Sequence, residues 1–126
     1  MEYNMVGWFE IPVRDMDRAK KFYEAVFRVT IQVQHFNELL MGWFPWAEGK
    51  SGAAGSLVCH EEWYQPSDSK GTLLYFSSED VNNELKRIEA AGGKVLQPKT
   101  LISEDVGYMG IFIDTEGNRL AIHSRK

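Results

Sequence analysis

Between Val6 and Phe27 the chain passes from one hydrophobic period to another. Phe9, Ile11 and Val13 alternate with Trp8, Glu10 and Pro12, the two-residue period of a strand with one buried face. After Asp15, the residues Met16, Ala19, Phe22, Tyr23, Val26 and Phe27 recur at helical spacing, while Lys20, Lys21 and Glu24 lie off that stripe. Asp15 suits an N-cap, because a short carboxylate accepts a hydrogen bond from an orphan backbone N–H. The pattern predicts a strand, a turn and a helix packed on the Phe9/Ile11/Val13 face. The face carrying Trp8 and Glu10 is left for something else.

The next runs predict strands at 28–36 and 39–46, the latter ending at Pro45, a Gly-rich turn at 49–55 and a strand at 56–60. Residues 61–70 are polar apart from Trp63 and Tyr64 and contain Pro66, so they read as a linker. Then the order starts again. A strand at 72–77 leads to Asp80, in the place of Asp15, and Val81, Leu85, Ile88 and Ala91 form a helical stripe ending at Gly92-Gly93. A strand opening at 94–96 and interrupted by Pro98, strands at 108–113 and 119–124, and a turn at 114–118 complete it. Asp15 and Asp80 stand 65 residues apart, about half of the 126-residue chain. The reading is one domain of class α+β over 1–126, with two βαβββ modules at about 5–60 and 71–124 joined by 61–70.

Composition narrows the function classes. A net charge of −4 argues against a general nucleic-acid binder. Cys59 is the only cysteine, so no internal disulfide forms, and its strand context suits a buried small hydrophobe. No apolar run approaches the roughly 20 residues of a membrane-spanning helix. Glu2 and Asn4 interrupt the N-terminus, against a signal peptide. The expectation is a soluble, cytoplasmic protein without membrane or nucleic-acid partners. Four tryptophans exceed what a small core needs and suit a pocket or an interface. Gly49 to Gly55 lacks the Lys-Ser/Thr of a phosphate-binding loop, and CxxC, HExxH and nucleophile-elbow patterns are missing.

Three stretches carry a family resemblance: 13–19 (VRDMDRA) followed by Phe22-Tyr23; 79–81 running to 90–95 (AAGGKV); and 108–114 followed by Glu116-Gly117-Asn118. In this order and spacing they resemble the vicinal oxygen chelate superfamily, which holds glyoxalase I, bleomycin-resistance proteins and extradiol dioxygenases. Two turn positions depart from its pattern: Arg28 stands where Gly is usual and Thr115 where Pro is usual. The resemblance implies two βαβββ modules curling as a mixed sheet, or half-barrel, around a cleft. It also implies four inward positions that bind a metal in metal-dependent members, and these fall at Trp8, Ser56, Leu73 and Ala121. Indole and alkyl groups cannot coordinate a divalent ion and a Ser hydroxyl does so poorly, so neither a family metal nor another cofactor is expected.

Strand alternation places a second inward ring two residues further on, at Glu10, Val58, Tyr75 and His123. Glu10 and His123 are the candidate acid–base pair. Trp8, Ser56, Val58, Leu73, Tyr75 and Ala121 are the candidate ligand-binding residues. His60 beside Glu61 and Glu62 is a poor metal cluster, because adjacent strand residues cannot face one point. His35 reads as solvated. Trp43, Phe44 and Trp46 read as core, interface or a stacking wall, and Trp63 and Tyr64 as a lid or a partner contact, with 102–107 the matching loop of the second module.

Two readings lead. The first is a module that binds a small organic molecule in an aromatic cleft, as bleomycin-resistance proteins do by sequestration. The second is a lyase, isomerase or dioxygenase relative using Glu10 and His123 or a shifted metal site. A ligand-responsive accessory domain is a third. Members of the resembled family commonly pair, some by exchanging modules, so a homodimer is expected.

Overall fold

The computed structural model describes residues 2–126. The first half runs β1 (Trp8–Pro12), α1 (Met16–Phe27), β2 (Gln32–Phe36), β3 (Leu39–Trp43) and β4 (Ala54–Cys59). The second runs β5 (Tyr75–Ser77), α2 (Val81–Ile88), β6 (Lys94–Ser103), β7 (Gly107–Ile113) and β8 (Arg119–Ser124). Each half forms one four-stranded mixed sheet, ordered β1-β4-β3-β2 and β5-β8-β7-β6. In both, the first strand pairs parallel with the last, and the remaining pairs are antiparallel. A parallel pair needs a crossover between its members, and the helix supplies it. The repeat read from the sequence is thus an α+β fold of two open sheets.

Both helices begin at the predicted caps. The Asp15 carboxylate accepts from the Arg18 N–H at 3.0 Å, and Asp80 accepts from the Asn82 N–H at 3.0 Å. Met16, Ala19, Phe22, Tyr23 and Val26 are buried from α1, and Val81, Leu85 and Ile88 from α2. One core joins the modules. Phe9 of β1 meets Phe76 of β5 edge-on at 6.0 Å, Phe27 meets Phe76 at 4.5 Å, and Phe22 meets Phe112 of β7 at 6.1 Å. Gly55 is required where the Phe9 ring lies against β4, since a Cβ there would stand 2.4 Å from the ring. The inner sheet faces therefore carry Phe9, Ile11 and Leu57, with Phe76, Phe112 and Ile122, all turned to the helices.

Several boundaries move, each for a local reason. β2 starts at Gln32 rather than 28. Arg28 caps α1 in the left-handed region (φ 55°), and the Ile31 N–H turns back to the Glu24 carboxylate at 2.9 Å. β3 stops at Trp43, just before Pro45, which has no N–H to give. α2 ends at Ile88, because the Gly93 N–H closes on the Ile88 carbonyl at 2.9 Å. β6 continues past Pro98 as an edge strand, with its register shifting between Gln97 and Thr100. β5 is only Tyr75–Ser77, so Leu73 precedes it, although the Ala121 N–H still reaches the Leu74 carbonyl at 2.9 Å.

The β7–β8 turn locks the second module onto α1. Glu116 Oε1 accepts the Arg14 and Asp15 N–H groups, both at 2.8 Å, and Arg18 Nε donates to Oε2 at 2.7 Å. The Tyr23 hydroxyl donates to Asp114 Oδ2 at 2.6 Å, and Asn118 Nδ2 donates to the Pro12 carbonyl at 2.7 Å. Burial would raise the Glu116 carboxyl, but Arg18, the two backbone N–H groups and Thr115 together hold it below its usual value. Asp114 lies above its usual value because burial outweighs its hydrogen bonds.

Candidate functional site

With Phe9, Ile11 and Val13 committed to the core, alternation turns Trp8, Glu10 and Pro12 to the opposite face of the first sheet. Register then fixes the neighbours. Glu10 is level with Ser56, Ser56 with Trp43, and Trp43 with Gln32. Trp8 is level with Ala54, and Pro12 with Val58, which is level with Met41. This outer face is not covered by a helix. Trp8 is 45% exposed and Trp43 38%, whereas Ser56 and Val58 between the outer strands are fully buried.

Glu10 is the polar centre of the face. Its Oε2 accepts from the Trp8 indole Nε1 at 3.3 Å and its Oε1 from the Tyr64 hydroxyl at 2.6 Å. The bond to Glu10 raises the Tyr64 phenol above its ordinary value, so Tyr64 stays a donor at neutral pH. Two neutral donors, one on each oxygen, thus fix the orientation of the Glu10 side chain. A cavity of about 400 Å³ opens at the edge strand β1, lined by Trp8 and Glu10 of the outer face together with Phe9, Ile11, Leu74 and Leu120; Ser56 and Trp43 do not line it. At the far side of the sheet Trp43 stacks on Phe36, with ring centroids 6.3 Å apart and planes 21° from parallel. The chemistry on offer is two indole faces, an oriented carboxylate and a buried hydroxyl on adjacent strands.

The second sheet presents Tyr75, Ala121 and His123 on its corresponding face, with Tyr75 level with Ala121 and Ser77 with His123. Tyr75 is exposed and Ala121 is fully buried. His123 Nε2 donates to the Val106 carbonyl at 2.6 Å, which ties the imidazole to the 104–106 turn. The candidate pair Glu10 and His123 therefore sit on different sheets with different partners, and neither hydrogen-bonds the other. The two rings read from spacing are also interleaved: Glu10 is level with Ser56 rather than Val58, and Tyr75 with Ala121 rather than His123.

Other candidates find bland places. The Cys59 thiol donates to the Arg14 carbonyl at 3.7 Å, and burial raises it, which keeps it protonated and unreactive. His60 stacks on Trp63 at 5.0 Å, and its Nδ1 accepts the Glu62 and Trp63 N–H groups. His35 is exposed. Phe44 belongs to the core through Phe9, Tyr23 and Phe76, whereas Trp46 is exposed. Sequence spacing missed the Tyr64–Glu10 bond. The only signal was an unexplained aromatic in a polar linker.

Comparison with known proteins places this geometry. The model of the Glyoxalase/Bleomycin resistance protein/Dioxygenase superfamily matches residues 5–122. The chain belongs to this superfamily. A glyoxylase-like domain-containing protein of Didymella fabae is 25% identical over 127 residues, covering 98% of this chain and 95% of its own. Among solved structures, a glyoxylase/bleomycin resistance protein/dioxygenase domain from Frankia sp. EAN1pec aligns with TM-score 0.75 at 17% identity, over 99% of this chain and all of that one. TnmS3, an antibiotic binding protein from Streptomyces sp. CB03234, aligns with TM-score 0.71 at 23% identity, over all of this chain and 99% of that one. Glyoxalase I from Zea mays aligns with TM-score 0.72 at 17% identity over 94% of this chain, but the chain spans only 45% of that protein. At these identities the structural matches show the fold alone.

The superfamily includes metal-dependent members, so the donor set matters. Trp8, Leu73 and Ala121 carry no group able to bind a divalent cation, and Ser56 offers one neutral hydroxyl. Among the described residues, no three His, Cys, Asp or Glu side chains converge elsewhere. These residues do not fit the metal of the metal-dependent relatives.

Proposed function

We propose that this chain binds a small, flat organic molecule on the outer face of its first sheet, without the family metal. The observation that carries the reading is the Glu10 carboxylate, held by Trp8 and Tyr64, with the half-exposed Trp8 and Trp43 indoles on the same face of the sheet. Trp8 and Trp43 stack on the ligand, and Glu10 selects its polar edge. The relative that is an antibiotic binding protein has a matching fold over its whole length, which agrees with sequestration. Leu73, Tyr75 and Ala121 of the second module enter only if a second copy brings that sheet against the first. We therefore read the working form as a homodimer whose cleft mixes residues of two chains. A single partly buried thiol suits a reducing, cytoplasmic setting.

Titration with 2-naphthol, read by tryptophan fluorescence, tests the reading. Quenching that saturates, and an affinity lowered about 3–10-fold in both Trp8→Ala and Trp43→Ala, is expected from the loss of one stacked ring. No saturable quenching by 2-naphthol would overturn it. The enzyme reading is favoured by one observation: the His123 ring is held through Nε2 on the Val106 carbonyl, which leaves Nδ1 without a partner in the fold. In that case Glu10 and His123 from two copies share a cleft, and Glu10→Gln abolishes turnover rather than binding.

A further inference from the structure

Ser56 is an anomaly in an otherwise satisfied interior. Its Oγ is the one buried side-chain polar atom among the described residues that has no hydrogen-bond partner. Its neighbours Gly55 and Leu57 point to the core, so the hydroxyl points to the outer face, level with Glu10 on one side and Trp43 on the other. Glu10, level with it, does not accept from it; the carboxylate bonds Trp8 and Tyr64 and keeps further acceptor sites open. A buried hydroxyl that bonds nothing destabilises the fold, and it marks a place where a bound molecule completes the bonding.

We propose that Ser56 and Glu10 together read a phenolic hydroxyl, so that the ligand is a hydroxyaromatic. The inference rests on the binding reading above and names the ligand class. Its logic is donor and acceptor arithmetic. Glu10 is acceptor-only when ionised, and Ser56 has a free O–H to donate. A single ligand oxygen that donates to Glu10 and accepts from Ser56 satisfies both strands at once, and a phenol is such an oxygen on a flat ring. The ring then lies between the Trp8 and Trp43 indoles. Ser56 is fully buried, so the hydroxyl reaches it only if a neighbouring side chain moves, and Trp43, level with Ser56 and 38% exposed, is assigned that movement. Alkyl ligands and bare hydrocarbons leave the Ser56 hydroxyl unpaired and gain only from stacking.

The test compares 2-naphthol with naphthalene, which shares the fused ring and lacks the hydroxyl, on the intact chain and on Ser56→Ala and Glu10→Gln. The wild type binds 2-naphthol at least tenfold tighter than naphthalene. Ser56→Ala reduces that ratio to about threefold or less by weakening 2-naphthol alone, and raises the thermal midpoint of the free protein by about 3–5 °C as the unpaired hydroxyl is removed. Glu10→Gln also weakens 2-naphthol and leaves naphthalene unchanged. Equal binding of both probes by the wild type would overturn the assignment while leaving aromatic binding intact. Binding of neither would overturn the broader reading with it. A Ser56→Ala protein that keeps the tenfold preference would remove Ser56 from the site. A lower midpoint in that variant would show the hydroxyl to be satisfied within the fold, and would equally overturn the assignment.

Discussion

Arg28 carries a cost that the rest of the helix terminus does not need. It holds the left-handed conformation (φ 55°) that closes α1, a region in which a Cβ crowds the following carbonyl. Glycine adopts this conformation freely, although it is more flexible when unfolded. The two effects predict that Arg28→Gly is more stable by about 0.5–1 kcal/mol, which urea denaturation checks. This position was legible as a departure in the sequence; its conformation was not. Asp15 and Asp80 were fully legible, because a cap is a contact over two or three residues. Tyr64 and Glu10 were not, because 54 residues separate partners that only the folded linker brings together. Ser56 stood in the sequence as a weak metal donor, and only burial and register reveal an unpaired hydroxyl beside a carboxylate.

Among the elements, the β7–β8 turn decides whether the modules act as one body. Glu116 links three groups at the start of α1 and its side chain is fully buried, while its partner Arg18 is half exposed. Glu116→Ala leaves the Arg14 and Asp15 N–H groups, just ahead of α1, without their acceptor and is expected to lose about 2–3 kcal/mol at pH 7. The pH dependence follows from direction. The lowered Glu116 value contributes stability that is present above the unfolded carboxyl range, near about pH 4.3, and is lost as pH falls through the folded value. Asp114 acts oppositely: raised by burial, it favours the fold below the unfolded value, and that contribution is lost as pH rises through the raised one. Thermal midpoints from pH 3 to 7 should therefore fall more steeply on the acid side for the wild type than for Glu116→Gln. Parallel curves would show that the turn does not supply this term. The sequence pattern made the turn visible as a turn. It could not show that its three polar side chains face another module, because periodicity carries no information across modules.

At the scale of the whole molecule, helices cover one face of each sheet and leave the other to half-exposed aromatics. Trp8, Phe36 and Trp43 lie on or beside the first outer face, and Tyr75 on the second. Faces of this kind are covered by a ligand, a partner or both. Light scattering at low micromolar concentration should give twice the 14.5 kDa chain mass; a species of chain mass would limit the site to the first sheet. The βαβββ order was readable because two hydrophobic periods repeat along the chain. How the outer faces are covered was not, because nothing in a one-chain pattern fixes a second copy.

The most direct measurement is a nitrogen-15 correlation spectrum of the four tryptophan indole N–H groups during titration with 2-naphthol. Each indole gives one signal, and the Trp8 N–H begins bonded to Glu10. The account predicts that the Trp8 and Trp43 signals shift together and saturate, while those of Trp46 and Trp63 stay in place. Shifts confined to Trp46 or Trp63, or no saturable shift at all, would contradict the assignment of the outer face of the first sheet as the binding site.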